Sequence, residues 1–253
     1  MTKQAVCAIL LCGTCRKEDE KQASGAERST REGKRKMQKR RMENYIAAST
    51  VLCLFLLLVV LLRCVDVEPI GPMGGMVGLA TVNKAFFEMV GSSAVWDSVT
   101  EAFLLLSLAV ALVFASVGAY QWIRRRSLRL VDARIKALGV VYVLLLFFYL
   151  FFEFIIINCR PVLVNRVAEA SFPSSHVMIV VSVMGTAALY LWDTFASRVM
   201  GKVGACVCAV VVIFSIIGRA LSGMHWLTDV LGGVLLALFL LFLYRILLSH
   251  AKK

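Results

Sequence analysis

The chain has 253 residues, of which 60% are hydrophobic, and it carries a formal net charge of +12. Its mean hydropathy of +0.81 lies far above that of an ordinary soluble domain, so the composition excludes that class and indicates an integral membrane protein. The positive charge could point to nucleic acid, but it is concentrated in one tail and a few loops. We therefore expect no nucleic-acid partner.

The first 44 residues are polar and basic. They contain clusters at Lys34-Arg35-Lys36 and Lys39-Arg40-Arg41. Such a segment is typical of a disordered cytoplasmic tail that contacts anionic lipid. The sequence thus predicts two parts, a basic cytoplasmic tail over residues 1–44 and a membrane domain over residues 45–253.

Six apolar blocks follow, each long enough, or extendable enough, to cross a hydrocarbon core of ~30 Å. They are Tyr45–Leu62, Ala102–Ile123, Ala137–Ile157, His176–Trp192, Val203–Ile217 and Val230–Leu248. The sequence therefore predicts an all-α membrane protein, a bundle of six transmembrane helices. An even number of spans places both termini on the same side.

The positive charges select that side. Twenty-three of the 28 Lys and Arg residues fall in the tail or in segments on the tail side of the membrane. By the positive-inside rule both termini are cytoplasmic, and the opposite loops face outward. Those outer loops hold the other five basic residues, which are Arg63, Lys84, Arg160, Arg166 and Arg219. We assign no role to the long outer loop Arg63–Glu101.

A polar stretch, Gly218–Asp229, separates the fifth and sixth apolar blocks. His225 and Asp229 are four residues apart and share one face of a helical turn. A carboxylate in that position can fix the imidazole tautomer and leave the other ring nitrogen free to attack. Arg219 offers a guanidinium fork suited to phosphate. Because ionisable groups at membrane depth are costly and usually functional, this stretch is a candidate site.

A second polar stretch lies between the third and fourth blocks and includes Arg160 and His176. Pro173-Ser174-Ser175 is expected to open the fourth helix, so that free backbone N–H groups and the hydroxyl of Ser174 face outward. Each feature alone could be a local cap or a snorkelling Arg. Their concentration on one membrane face, together with Arg219 and His225, favours a phosphate site.

These residues resemble the type-2 phosphatidic acid phosphatase family, whose motifs are K-x6-R-P, P-S-G-H and S-R-x5-H-x3-D on a six-helix bundle. Arg160-Pro161 matches the end of the first motif, and Pro173–His176 matches the second. The stretch from Gly218 to Asp229 matches the third. The resemblance covers residues 45–253.

The resemblance implies a metal-independent membrane phosphatase without cofactors. His225 would attack phosphorus and form a phosphohistidine, Asp229 would orient it, and His176 would protonate the leaving oxygen and then activate water. The implied substrate-binding residues are Arg160, Arg219, Ser174 and Ser175. The charge distribution predicts a site on the extracytoplasmic side of the cell membrane. The implied partners are membrane lipids and a lipid phosphate substrate: a polyprenyl diphosphate, phosphatidic acid or phosphatidylglycerol phosphate.

Three positions depart from the family pattern. Ser175 replaces Gly, Gly218 replaces Ser, and Glu153 stands where the family has a phosphate-binding Lys. Glu153 could pair with Arg160 or Arg166, or it could stay protonated and donate a hydrogen bond.

These departures leave an alternative open, a catalytically degraded protein that binds lipid phosphate. A transporter or channel is a further alternative, but we find no obvious inverted repeats with broken helices in the sequence. The oligomeric state stays open.

Overall fold

The computed structural model describes residues 3–162, 169–195 and 197–251, with side chains from residue 31 onward. Over this part of the chain the fold is almost entirely helical, and six helices are long and apolar enough to cross a membrane. The predicted all-α, six-span architecture of a multi-pass membrane protein is confirmed. The helices are α1 (Lys3–Cys64), α2 (Ala80–Val90), α3 (Ala94–Arg125), α4 (Ala133–Phe154), α5 (Ser175–Thr194), α6 (Val199–Leu221) and α7 (Leu227–Ala251).

The chain divides into two compact units, Met1–Glu43 and Asn44–Lys253. This division falls beside the boundary that the composition predicts. In the first unit the described basic side chains over residues 31–40 are exposed. Helix α1 begins at Lys3, so the tail is helical in the structure. The disorder expected from its composition stays a prediction. The spans and all candidate site residues belong to the second unit.

The first span begins next to the point where the last span ends. The hydroxyl of Tyr45 lies 3.4 Å from Nε2 of His250, so the start of the first apolar block and the end of α7 share one end of the bundle. Helix α7 runs from Leu227 at the opposite end to this one. The cytoplasmic location of both termini stays a prediction from the charge distribution.

Small residues bring α5 and α7 close together at the end that carries the polar motifs. A Cβ atom at Gly233 would lie 2.8 Å from the carbonyl oxygen of Ser174, and one at Gly232 would lie 2.3 Å from the ring of Phe172. Small residues at helix interfaces allow such close backbone approach in membrane proteins. The start of α5 is thereby pressed against the first turns of α7.

The outer loop Arg63–Glu101 is ordered and contains a helix that the sequence reading did not anticipate, α2. Asn83 of α2 is fully buried, and its amide donates to the Thr228 hydroxyl at 2.9 Å. The Thr228 N–H donates back to the side-chain amide oxygen Oδ1 of Asn83 at 3.2 Å. These reciprocal bonds fix α2 to the first turn of α7.

Candidate active site

The polar motifs meet where α5 begins, α6 ends and α7 begins. Ser174 precedes α5, Arg219 lies in the last turn of α6, and His225 lies in the turn before α7. That turn depends on Gly223, which has φ of +70° and packs against the loop between α2 and α3. A Cβ atom there would lie 2.5 Å from the Gly91 carbonyl oxygen, so both the backbone angle and the space require glycine.

His225 is buried and held through one ring nitrogen. Its side chain is 1% exposed, and Nδ1 lies 3.1 Å from the backbone carbonyl of Ser171. Because a carbonyl only accepts, Nδ1 carries the proton and donates it. Nε2 is buried with no hydrogen-bond partner. The ring therefore presents an unprotonated nitrogen that no other group of the described chain hydrogen-bonds.

Asp229 reaches His225 mainly through Ser171. The carboxylate Oδ2 lies 3.9 Å from Nδ1 of His225, which is within ion-pair range but too long for a hydrogen bond. The Ser171 hydroxyl donates to Oδ2 and lies 3.2 Å from the same Nδ1. The Asn158 amide and the Trp226 N–H also donate to the carboxylate, at 3.1 and 3.0 Å. The expected carboxylate is present, and a hydroxyl bridges it to the ring.

The surroundings keep His225 neutral. Burial lowers its pKa well below the ordinary histidine value, and the positive charges of Arg219 and Arg160 lower it further. The hydrogen bond to the Ser171 carbonyl acts in the opposite direction but is the smaller effect. The lone pair on Nε2 is therefore available at neutral pH.

Two guanidinium groups lie at the site. Arg219 is 1% exposed, and its Nη1 lies 2.5 Å from the Asp97 carboxylate of α3, while its Nε has no hydrogen-bond partner. Arg160 forms an ion pair with Glu169, with Nε 3.4 Å from Oε2. Both cations predicted from the motifs are thus at the site, and each has its own carboxylate.

The start of α5 supplies two further groups. Ser174 is fully buried at the N-cap, but its hydroxyl makes no capping bond and has no partner among the described residues. His176 donates from Nε2 to the Glu101 carboxylate at 2.7 Å, and its Nδ1 is buried without a partner. Ser175 is half-buried and lines a groove beside the site.

Five buried polar atoms at the site therefore lack hydrogen bonds in the described chain: Arg160 Nε, Ser174 Oγ, His176 Nδ1, Arg219 Nε and His225 Nε2. Leaving a buried donor or acceptor unsatisfied costs about 1–3 kcal/mol. A tetrahedral oxyanion could accept hydrogen bonds from the hydroxyl and the guanidinium, with His225 Nε2 facing its central atom. The arrangement has the chemistry of a phosphate site.

An apolar groove of about 580 Å³ leads away from the site between α3, α4 and α5. Its polar end is formed by Glu153, Arg160, Glu169, Ser175 and His176, and its walls are mainly Leu, Ile, Val and Tyr side chains. Glu153 therefore lies near the site, but Arg160 pairs with Glu169 instead of Glu153. Arg166, the other predicted partner of Glu153, lies outside the described residues.

The departure at Gly218 has a steric cause. A Cβ atom there would lie 2.9 Å from Thr100 Cγ2 and 2.9 Å from the Trp96 ring, both on α3. The family's serine would require the side chains of Thr100 and Trp96 to shift, so the close packing of α3 against α6 favours glycine at this position.

Sequence reasoning missed several residues of the site. Asn158 and Ser171 lie in the second polar stretch, but no spacing rule distinguished them from their neighbours. Asp97 and Glu101 are one turn apart at the start of α3 and contact Arg219 and His176. Two acidic residues four apart at the outer end of an apolar block were the available signal.

The comparisons with known proteins agree with this geometry. The sequence model of the PAP2 superfamily matches residues 153–252. The fold matches the crystal structure of the first transmembrane PAP2-type phosphatidylglycerolphosphate phosphatase from Bacillus subtilis. The TM-score is 0.53 and the identity 21%, and the match covers 79% of this chain and 94% of that chain. No curated protein matches the sequence. The resemblance carried by the motifs is thus confirmed as a match to the PAP2 superfamily model over residues 153–252, the part of the chain that carries all three motifs.

Proposed function

We propose that this protein is a metal-independent membrane phosphatase that hydrolyses a lipid phosphate through a phosphohistidine on His225. The observation that carries the proposal is the state of His225. Its Nδ1 is fixed by Ser171, its Nε2 is free, and Arg219 and Arg160 lie near enough to hold an anion against it. A neutral, oriented imidazole beside two cations is suited to in-line attack on phosphorus.

The proposed reaction has two steps. In the first, Nε2 of His225 attacks phosphorus, the P–O bond to the leaving group breaks, and His176 gives its proton to the leaving oxygen. In the second, His176 takes a proton from water, the water oxygen attacks phosphorus, and the P–N bond breaks. Arg219, Arg160 and Ser174 stabilise the charge on the non-bridging oxygens. General acid–base catalysis of this kind contributes about 10²–10⁴-fold.

The groove supports a lipid as the substrate. It starts at Arg160 and His176 and continues between helices with apolar walls, so a phosphate at the site would have its hydrocarbon tail in the groove. Candidate substrates are a polyprenyl diphosphate, phosphatidic acid and phosphatidylglycerol phosphate. The solved relative is named for the last of these.

The proposed location is the cell membrane with the site on the extracytoplasmic side. The site lies at the start of α7, whereas the basic residues around the connection from α3 to α4 begin in the last turn of α3 and continue past its end. With the positive-inside rule, that basic connection is cytoplasmic and the site faces outward. Membrane lipids are the expected surroundings, and the basic segment 31–41 is expected to contact anionic headgroups.

The test is phosphate release by the detergent-purified full chain with a chelator present. The three candidate lipids are compared in parallel, with His225→Ala as the control. We expect release from at least one lipid, unchanged by chelator and absent in the variant. No release from any lipid, with lipid phosphate still bound, would instead establish the degraded binder. Release that requires an added divalent cation would overturn the metal-independent mechanism.

A further inference from the structure

Helix α3 places two carboxylates at the site, and the matched region 153–252 does not include them. Asp97 and Glu101 are four residues apart, so they share one face of α3. Asp97 pairs with Arg219 on α6 at 2.5 Å, and Glu101 pairs with His176 on α5 at 2.7 Å. Each carboxylate therefore holds one of the groups that the proposed reaction uses.

The bond to Glu101 determines which nitrogen of His176 can exchange a proton. A carboxylate accepts, so Nε2 of His176 carries a hydrogen and donates it to Glu101. Nδ1 is buried and has no partner within the described residues. It is consequently the nitrogen that gains and loses the catalytic proton, and it is protonated when His176 acts as an acid.

The carboxylate lies at the rim of the site and the ring lies deeper. The Glu101 side chain is 54% exposed, whereas that of His176 is 15% exposed and lines the groove beside Arg160. The guanidinium groups of Arg219 and Arg160 also act on His176, and Glu101 is the carboxylate that counters them.

We propose that Glu101 is the positioning residue for His176 in protonation of the leaving group. It fixes the ring orientation through Nε2 and stabilises the imidazolium that donates from Nδ1. The proton passes from Nδ1 to the leaving oxygen as the P–O bond breaks, and it is replaced from water as the P–N bond breaks. Glu101 neither gives nor takes a proton in either step and accepts the hydrogen bond from Nε2. The inference rests on the proposed function.

The experiment compares leaving groups that differ in their need for a proton. An alkoxide leaves poorly without one, whereas p-nitrophenolate leaves unprotonated. For Glu101→Gln we expect kcat for dodecyl phosphate to fall about 10–100-fold. The single-turnover burst of p-nitrophenolate from p-nitrophenyl phosphate should stay within about threefold, since His176 is not needed there as an acid. KM should change little, because Glu101 holds no substrate oxygen.

Asp97→Asn is the matched control on the same face of α3. It loosens Arg219, which binds phosphate, so it should raise KM for both substrates alike. In a His176→Ala background, Glu101→Gln should cause no further loss. This double variant separates an action through His176 from a general disturbance of the fold.

Three results for Glu101→Gln would overturn the assignment of Glu101 while leaving the phosphatase proposal intact. They are equal losses of activity on both substrates, no loss of activity on dodecyl phosphate, and an additive loss of activity in the His176→Ala background. A wild-type protein that turns over neither substrate would overturn the proposed function itself, and the role of Glu101 with it.

Discussion

The two histidines of the site are both supported by carboxylates, but in opposite surroundings. His225 is almost fully buried, and its acidic neighbour Asp229 is 0% exposed and linked to the ring through Ser171. His176 lies nearer the surface and is held directly by Glu101, which is half exposed. The inner pair is a buried network of hydrogen bonds, and the outer pair lies where protons can be exchanged with solvent.

This difference matches the two tasks in the proposed reaction. A nucleophile needs a free lone pair and a fixed direction, which burial and neighbouring positive charge provide for His225. A group that is an acid in one step and a base in the next needs to regain its proton each cycle, which contact with the rim provides for His176. The structural asymmetry therefore predicts different responses to mutation.

The largest effect is expected at the nucleophile. His225→Ala should lower phosphate release by more than about 10³-fold and form no acid-labile phosphoenzyme, because the variant lacks the nitrogen that attacks phosphorus. His176→Ala supplied with p-nitrophenyl phosphate should still form the phosphoenzyme and accumulate it, because the water-activating base is missing. Rapid quench followed by detection of acid-labile phosphate distinguishes the two variants. A phosphoenzyme in His225→Ala would reverse the two roles.

A smaller loss is expected at the hydroxyl that bridges the inner pair. Ser171→Ala removes the link between Asp229 and Nδ1 of His225 but leaves the backbone carbonyl that also accepts from Nδ1. Supporting hydrogen bonds of this kind are worth about 1.5–3 kcal/mol when one partner is charged, which corresponds to about a 10–100-fold loss in kcat. Activity equal to wild type would show that the carbonyl alone orients the ring.

The free energy of unfolding should fall more for a substitution at a buried residue than for one at the rim of the site. Asn83→Ala leaves the Thr228 N–H unpaired in the interior, so we expect a loss of about 1–3 kcal/mol. Glu101→Gln, at an exposed carboxylate, should change stability by less than about 0.5 kcal/mol. Thermal unfolding in detergent measures both. A larger shift for Glu101→Gln would mean that the rim pair is a structural element.

A substitution at Glu153 tests how charge at the polar end of the groove affects substrate binding. Glu153→Lys replaces a carboxylate at the polar end of the groove with a cation, so KM for a lipid phosphate should fall about 3–10-fold. Glu88→Lys, at an exposed position on α2, is the control for the general change in charge. A higher KM in Glu153→Lys alone would show that Glu153 contributes a specific contact.

The last prediction concerns pH. Because burial and the nearby cations lower the pKa of His225, this ring should stay neutral until the pH falls well below the ordinary histidine value of about 6.5. The burst from p-nitrophenyl phosphate, followed in His176→Ala so that one catalytic histidine remains, should therefore be level from neutral pH down through that value. A decline already near neutrality would contradict the buried, neutral state.

Much of this arrangement could be predicted from the sequence because local patterns report it. The apolar blocks have the length of membrane spans, and the spacing from Arg219 through His225 to Asp229 lies within one turn region. The pairing of Asp97 and Glu101 with groups on α6 and α5 could not be predicted, because it depends on how α3 packs. The steric reason for Gly218 is likewise visible only once Trp96 and Thr100 are placed against it.

The link between α2 and α7 bears on how far the site is portable. The region that matches the superfamily begins at residue 153, yet Asn83 and Gly78 from the preceding loop bond to Thr228 and Asn158 beside the site. A chimera that transplanted residues 153–252 alone would carry every motif but leave those buried bonds without partners. The segment needed to support the site is therefore longer than the region that matches the superfamily model. A transplanted segment should begin before α2 and include Gly78.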